Sequence, residues 1–422
     1  MSNATAAVTS EAQGVEKEAS PADGLGRRRR RSAVAVRLTP LWVATFLQAV
    51  GFWVPVEKLF MSGIGFDAAT IGLMAAAYAA LTPVMEVVSG ILADRWSRRG
   101  VLIVAGFALL ISVFIGAISQ NVITYIVAAL ILGIYFAMYS GTVEAVVYDV
   151  ILEETGNSAE YEKRIGRVRF IESVALVGSA LAGGLIAAAL SPRATYFLTL
   201  PFAALYLIAL TRFREPRLHQ TSERTSLRDH LVVTYRAITD RGRLVPIAAA
   251  TVMSAMILQA MYEFGPLWLI TLKAQAGYYG PFWALLVGMI GVGGLLASRL
   301  HLERPLPVAI VVLVMVAACV TMTTSHSLAV LTIAMVALTF LLVVIGIHLS
   351  QLLHDAVPST IRTGVASGIS AVSWVLFTPF AIAFGALSKH AGVFVSGWMI
   401  TGAVALGGAA LVWVQRHAVA LR

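Results

Sequence analysis

The sequence carries little charge and almost no cysteine. Asp, Glu, Lys and Arg make up 13% of its 422 residues, against about a quarter in ordinary soluble domains, so a water-exposed globular surface is excluded. The single Cys319 lies inside an apolar run. It rules out an internal disulfide and a cysteine-based zinc site, and reads as a small buried hydrophobe. No Gly-x-x-x-x-Gly-Lys-Ser/Thr segment is present to hold ATP, which argues against a primary pump. The closest histidines, His348 and His354, fall on different helix faces, so no metal site is expected. No paired carboxylates and no Ser, His and Asp set converge in a polar loop, which leaves an enzyme without a seat for its chemistry.

What the chain has instead is apolar length. Hydrophobic residues reach 59% and the mean hydropathy is +0.83. They come in runs near twenty long, at about 40–60, 70–92, 101–119, 122–150, 171–190, 195–211, 245–270, 279–297, 305–323, 327–353, 364–387 and 393–414. A helix of that length spans a bilayer. The expected fold is therefore an all-α membrane protein of twelve transmembrane helices.

The net charge of +9 could suggest nucleic-acid binding, but the positions of the basic residues decide otherwise. All but four of the 31 Lys and Arg lie in the N-terminal tail, the even-numbered loops and the C-terminal tail; the exceptions are Lys58, Arg193, Lys273 and Lys389. This positive-inside asymmetry places both termini in the cytoplasm and the protein in the cell membrane. No nucleic-acid partner is expected; the partners are the lipid bilayer and a small-molecule substrate, and the chain is expected to act as a monomer. Residues 1–38, ending near the run Arg27 to Arg31, read as a disordered basic cytoplasmic tail, and the first span as an uncleaved anchor.

Two six-helix bundles are expected, at 39–211 and 244–416, joined by a cytoplasmic linker at 212–243 that includes an amphipathic stretch from Leu227 to Ile238, with a short tail at 417–422. Local echoes support duplication. Gly90-Ile-Leu-Ala-Asp94-Arg95 ends span 2 as Gly294-Leu-Leu-Ala-Ser298-Arg299 ends span 8, and Arg164-Ile-Gly166 precedes span 5 as Arg362-Thr-Gly364 precedes span 11. Repeated bundles with a site between them are a transporter architecture.

The segment Gly90-Ile-Leu-Ala-Asp94-Arg95-Trp96-Ser97-Arg98-Arg99-Gly100 resembles the loop 2–3 motif of the major facilitator superfamily, G-x-L-A-D-R-x-G-R-R, with Ser97 where the family has Gly. The resemblance covers roughly residues 40–415. It implies that Asp94, with Gly90, Arg95, Arg98 and Arg99, engages span 11 near Arg362 when the inner side is closed. Ser140-Gly141-Thr-Val-Glu144-Ala-Val-Val-Tyr148-Asp149 looks like a subgroup of presumed exporters, and Arg214-Glu215-Pro216-Arg217 is also common there. The Gly-Pro-x-x-Gly-Gly pattern of drug antiporters appears only as Ser179-Ala180-Leu181-Ala182-Gly183-Gly184, without the proline. The resemblance also implies an inner charge network of Asp149, Arg164, Arg167, Arg169 and Glu172.

An ionisable group inside the membrane is costly and is by default a functional candidate. Glu86 and Glu144, with Tyr148 one turn from Glu144, are candidates for a proton-linked or cation-recognising centre; fixed, ion-paired carboxylates are the alternative. Glu57, beside Lys58, and Glu263 occupy comparable places in spans 1 and 7, where they would flank an outer gate. Trp42, Trp53, Trp268, Trp398 and Trp413 near span ends suit an interfacial belt. The expected function is secondary active transport of a small molecule by alternating access, without a cofactor and coupled to the proton gradient, as an efflux antiporter. Uptake by proton symport is the alternative, ahead of a membrane enzyme or a receptor.

Overall fold

The computed structural model describes residues 21–157, 160–216, 244–300, 302, 304–356 and 362–419. Among the described residues it is all-helical: α1 Pro21–Ala49, α2 Glu57–Gly63, α3 Ala68–Arg95, α4 Arg98–Ile118, α5 Val122–Thr155, α6 Tyr161–Ala189, α7 Pro192–Arg212, α8 Leu244–Thr271, α9 Ala276–Leu296, α10 Pro305–Thr324, α11 Leu328–Ala356, α12 Arg362–Ala391 and α13 Val393–Val419. Among the described residues, twelve spans are long and apolar enough to cross a membrane. Because that number is even, both ends of the spanning bundle lie on one side, the terminal face; the opposite end is the distal face.

Two expectations change at the start of the chain. Helix α1 already runs from Pro21, so residues 21–38 are helical rather than a disordered tail; Arg and Ala are good helix formers and proline suits a first turn. Span 1 is also not one continuous helix. It breaks after Ala49 and resumes through a short 3-10 turn, Val54–Val56, into α2. Pro55 lacks the N–H that a continuous helix would need, while the Gly51 N–H is taken up by the Ser179 hydroxyl at 3.3 Å. The amphipathic stretch Leu227 to Ile238 and most of the linker fall outside the described residues.

The helices pair twice over. In the first six spans α4 packs on α5 and α7, α3 on α5, and α1 on α5, α6 and α7; in the last six α10 packs on α11 and α13, α9 on α11, and α8 on α11, α12 and α13. Each of these contacts in one set has its counterpart in the other, the signature of parallel repeats. The sets meet mainly through α3 against α12 and α6 against α9, which are again counterparts.

Glycine makes those two crossings possible. A Cβ on Gly72 would stand 2.4 Å from the Ala381 carbonyl oxygen and 2.9 Å from Gly385 Cα; one on Gly280 would stand 2.7 Å from the Ala180 carbonyl oxygen and 3.1 Å from Gly184 Cα. Small residues let helix backbones touch where lipid offers no hydrophobic drive to association. Both crossings sit near the distal ends of their helices. Toward the terminal face the partners bear exposed apolar side chains such as Val88, Phe170, Val174, Leu295 and Val372. Of the other glycine pairs in the sequence, Gly408 packs against Val312, whereas Gly294 faces open space.

Overpacking a tight contact costs about 1–3 kcal/mol, so Gly280→Leu should part α6 from α9 at the distal face. With Asp67→Cys and Lys389→Cys as reporters across α3 and α12, disulfide formation on brief oxidation should be efficient in the Gly280 background and fall roughly tenfold with Gly280→Leu. Cys319, the native cysteine, is buried and should contribute little background.

Candidate functional site

Charges between the two sets of helices have few places to go. Lys58 is 3% exposed and lies between Glu57 Oε2, at 3.1 Å, and Glu263 Oε1, at 2.5 Å. An ammonium withdrawn from water needs such partners. The Tyr125 hydroxyl donates to Glu57 Oε1 at 2.9 Å and lies 2.7 Å from the Tyr196 hydroxyl. One polar chain thus runs from α7 through α5 and α2 to α8, crossing between the halves. A second crossing lies on the distal surface, where Lys389 pairs with Asp67 at 2.8 Å. Asp67 also caps α3 by accepting from the Thr70 N–H at 2.8 Å. With the Lys389 ammonium hydrogen-bonded to it and the Thr70 N–H behind, the Asp67 carboxyl is held down at about 2.

Beneath Lys58 lies a cavity of about 440 Å³ between the two sets of helices. Its α3 wall is a stripe with helical spacing: Met74, Tyr78, Thr82 and Glu86. Tyr262 and Glu263 of α8, Trp283 of α9 and Trp374 of α12 face it from the other set. The stripe from Met74 to Glu86 spans about 18 Å of helix axis. Its distal end is sealed by buried Lys58, whereas Glu86 at the other end is exposed. Among the described residues Glu86 makes no ion pair.

A neighbouring cavity of about 310 Å³ shares Trp53, Val54, Leu132 and Phe136 with the first and is walled by the first six spans alone. It carries a connected polar network. The Tyr139 hydroxyl donates to Glu172 Oε1 at 2.7 Å, the Gln48 amide donates to Tyr139 at 2.9 Å, and the Tyr135 hydroxyl donates to Gln48 Oε1. Arg169 joins this network to Glu144, donating to Glu172 Oε2 at 3.0 Å and to Glu144 Oε1 at 2.5 Å. Glu144 is therefore ion-paired within the network, in contrast to Glu86. Tyr148, one turn on, is exposed and meets Tyr161 edge-on.

Arg98 and Arg99 of the Gly90 to Gly100 segment are tied within the first six spans. Arg98 donates to Asp149 Oδ2 at 2.5 Å, and Arg99 to the carbonyl oxygens of Leu210 and Thr211 at 3.1 and 2.9 Å. Ser97, which replaces the motif glycine, is the N-cap of α4, accepting from the Gly100 N–H at 2.8 Å. Glu215 then seats its carboxylate on the same helix end, accepting from the Arg98 N–H and the Ser97 hydroxyl, each at 2.6 Å. A carboxylate is favoured there by the helix dipole. Nearby, Arg164 donates to Glu160 at 2.8 Å and Arg167 lies over the Trp42 ring at 4.1 Å. The side chains of Gly90, Asp94, Arg95 and Arg362 fall outside the described residues.

Sequence reasoning missed the aromatic lining. Trp53, assigned to the interfacial belt, is 8% exposed, stacks on Tyr196 and lines both cavities. Trp268 is fully buried and donates to the Met322 carbonyl oxygen. Both lie next to kinks or helix ends in sequence, which mimics an interfacial position. Trp374 and Gln48, inside apolar runs and away from span ends, were the signals available for the cavity wall.

With this geometry in place, the comparisons bear on the fold. A profile of the Major Facilitator Superfamily matches residues 41–376. Among solved structures, a variant of the nucleoside transporter NupG is similar at TM-score 0.76 and 14% identity, covering 90% of this chain and 99% of that one. A peptide transporter, POT, in complex with sulfate is similar at 0.71 and 11%, covering 90% and 94%. A D-xylose–proton symporter is similar at 0.65 and 15%, covering 92% and 97%. At these identities the likeness is one of fold. No curated protein sequence matches.

Two outcomes are expected from these contacts. Lys58→Met leaves Glu57 and Glu263 facing each other unpaired and should lower stability by about 3–5 kcal/mol, seen as a lower thermal-unfolding midpoint in detergent; adding Glu263→Gln should recover part of the loss. Asp67 has its pKa below the ordinary 3.8, so its contact contributes fully above about pH 4 and is lost as pH falls toward 2. Asp67→Asn keeps the helix cap, so its midpoint deficit should be about 1 kcal/mol or less, constant between about pH 5 and 8, and shrink on acidification below about pH 4.

Proposed function

Because the chain belongs to the Major Facilitator Superfamily, a family of membrane transporters, we propose that it exports a small molecule across the cell membrane by alternating access, in exchange for protons. The observation that carries this reading is a cavity between two repeated sets of helices, sealed at one end by contacts that a rocking motion can undo. These are the two glycine crossings and the Lys58–Glu263 and Lys389–Asp67 pairs. The concentration of basic residues at the terminal face supports placing that face in the cytoplasm. The described arrangement is then the one closed to the outside and accessible from within. A single chain encloses the whole cavity, which supports function as a monomer.

Opening the outer side has a defined electrostatic consequence. Glu57 and Lys58 share one helix, so their pair survives the rocking motion; Glu263 is carried away with the other half and loses its ammonium. A carboxylate so stranded must be neutralised or rehydrated, and a proton entering from the outside supplies that neutralisation. Glu86, unpaired within the cavity, is the second place where a proton can be exchanged. Glu144, held by Arg169, is supported only as a structural partner. Likeness to a D-xylose–proton symporter favours a second reading, uptake by proton symport, in which the same carboxylates load together with substrate rather than against it.

Reconstitution in liposomes with an imposed pH gradient separates these readings, with internal pH and a panel of small molecules followed together. Export should appear as solute and proton moving in opposite directions. Glu86→Gln should abolish the coupling with insertion intact, whereas Glu144→Gln should keep it. Movement in the same direction selects symport, and coupling unchanged by Glu86→Gln removes Glu86 from the mechanism.

A further inference from the structure

We infer that the cavity takes an organic cation with an aromatic body, and that Glu86 is its counter-ion. This rests on the transport reading and names the substrate class for the same cavity. Charge is the first argument. The cations that face the two cavities are already balanced, Lys58 by Glu57 and Glu263, and Arg169 by Glu144 and Glu172. Glu86 is the carboxylate on these walls that makes no ion pair and accepts no side-chain hydrogen bond among the described residues. Among the described residues an anionic solute would meet Glu86 and no free cation, whereas a cationic solute completes a pair left open there.

The walls supply the second argument. Tyr78 meets Trp374 edge-on at 5.8 Å, so α3 and α12 together present an aromatic edge to the cavity. Across it, Tyr262 and Trp283 stack with ring centroids 5.9 Å apart and planes 11° apart. Their polar tips, the Tyr262 hydroxyl and Trp283 Nε1, are buried away from the cavity, so what the pair offers a solute is ring surface. Aromatic faces attract organic cations through the ring quadrupole.

Binding on Glu86 also couples the two fluxes. A carboxylate holds the cation or a proton, not both, so each must leave before the other binds, and an inward proton gradient then drives the cation outward.

The test uses the full chain in nanodiscs, with intrinsic tryptophan fluorescence read during titration with tetraphenylphosphonium or ethidium. Tetraphenylborate serves as an anion of the same shape as the first, and empty nanodiscs as the blank. Saturable binding of at least one cation is expected, with no saturable binding of tetraphenylborate. Glu86→Gln should weaken cation binding at least about tenfold, Glu86→Asp should retain most of it, and Trp374→Ala should weaken it further than Trp374→Phe. Affinity should fall on acidification with Glu86 and stay level with Glu86→Gln. Equal binding of tetraphenylborate, binding unchanged by Glu86→Gln, or failure of both cations to bind overturns the inference. Cysteine accessibility at the two faces of the same samples keeps the readings apart: alternation without cation binding removes only this inference, whereas no alternation removes the transport reading itself.

Discussion

An ammonium buried between two halves of a membrane protein can be kept charged only by carboxylates brought to it, and here one of the two comes from the other half. Lys58 with Glu57 and Glu263 therefore sets the terms on which the halves meet. On the proposed mechanism, closing the distal end brings Glu263 to Lys58, and opening it removes Glu263 and leaves a neutral pair behind on α2. The gate can move without exposing an unbalanced lysine to a low-dielectric interior. The cost of opening is placed on a carboxylate, a group that a proton can neutralise.

The glycine crossings make this contact selective. Because Gly72 meets Gly385 and Gly184 meets Gly280 with backbones nearly touching, each half has one close seat on the other, reproduced by the repeat. Van der Waals contact of this kind is lost over a fraction of an ångström, so the seat is either made or broken. At the opposite end, the terminal-face arginines perform a different task. Arg98, Arg99 and Glu215 hold the α3–α4 turn to α5 and to the end of α7, so their contacts stay within the first half.

Much of the architecture was legible because the bilayer reads sequence coarsely. Apolar runs such as 327–353 anticipated helices such as Leu328–Ala356, since hydrocarbon tolerates little else. The echo between spans 2 and 8 was visible as Gly90 to Arg95 against Gly294 to Arg299 and returns as matched helix pairings. Glu57 and Glu263 could be paired by their comparable places in spans 1 and 7, although Lys58 as the bridge between them could not be read from spacing alone. What resisted was direction around the helix. Trp53 and Trp268 sit near span ends in sequence, but the break at Ala49 to Val54 turns one into the cavity and tight packing buries the other. Glu144 looked like Glu86 because partners such as Arg169, 25 positions away, are set by tertiary structure and not by local pattern.

The central claim, that closure of the two faces is mutually exclusive, is tested most directly by spin-label distances at both faces of one protein. Labels at Asn121 and Ser327 report the distal face, and labels at Asn157 and Arg304 the terminal face. The account predicts two populations at each face in reciprocal proportion, with the fraction short at the distal face equal to the fraction long at the terminal face as pH is varied. Distances that lengthen together at both faces, or that stay single and fixed at both, would contradict it.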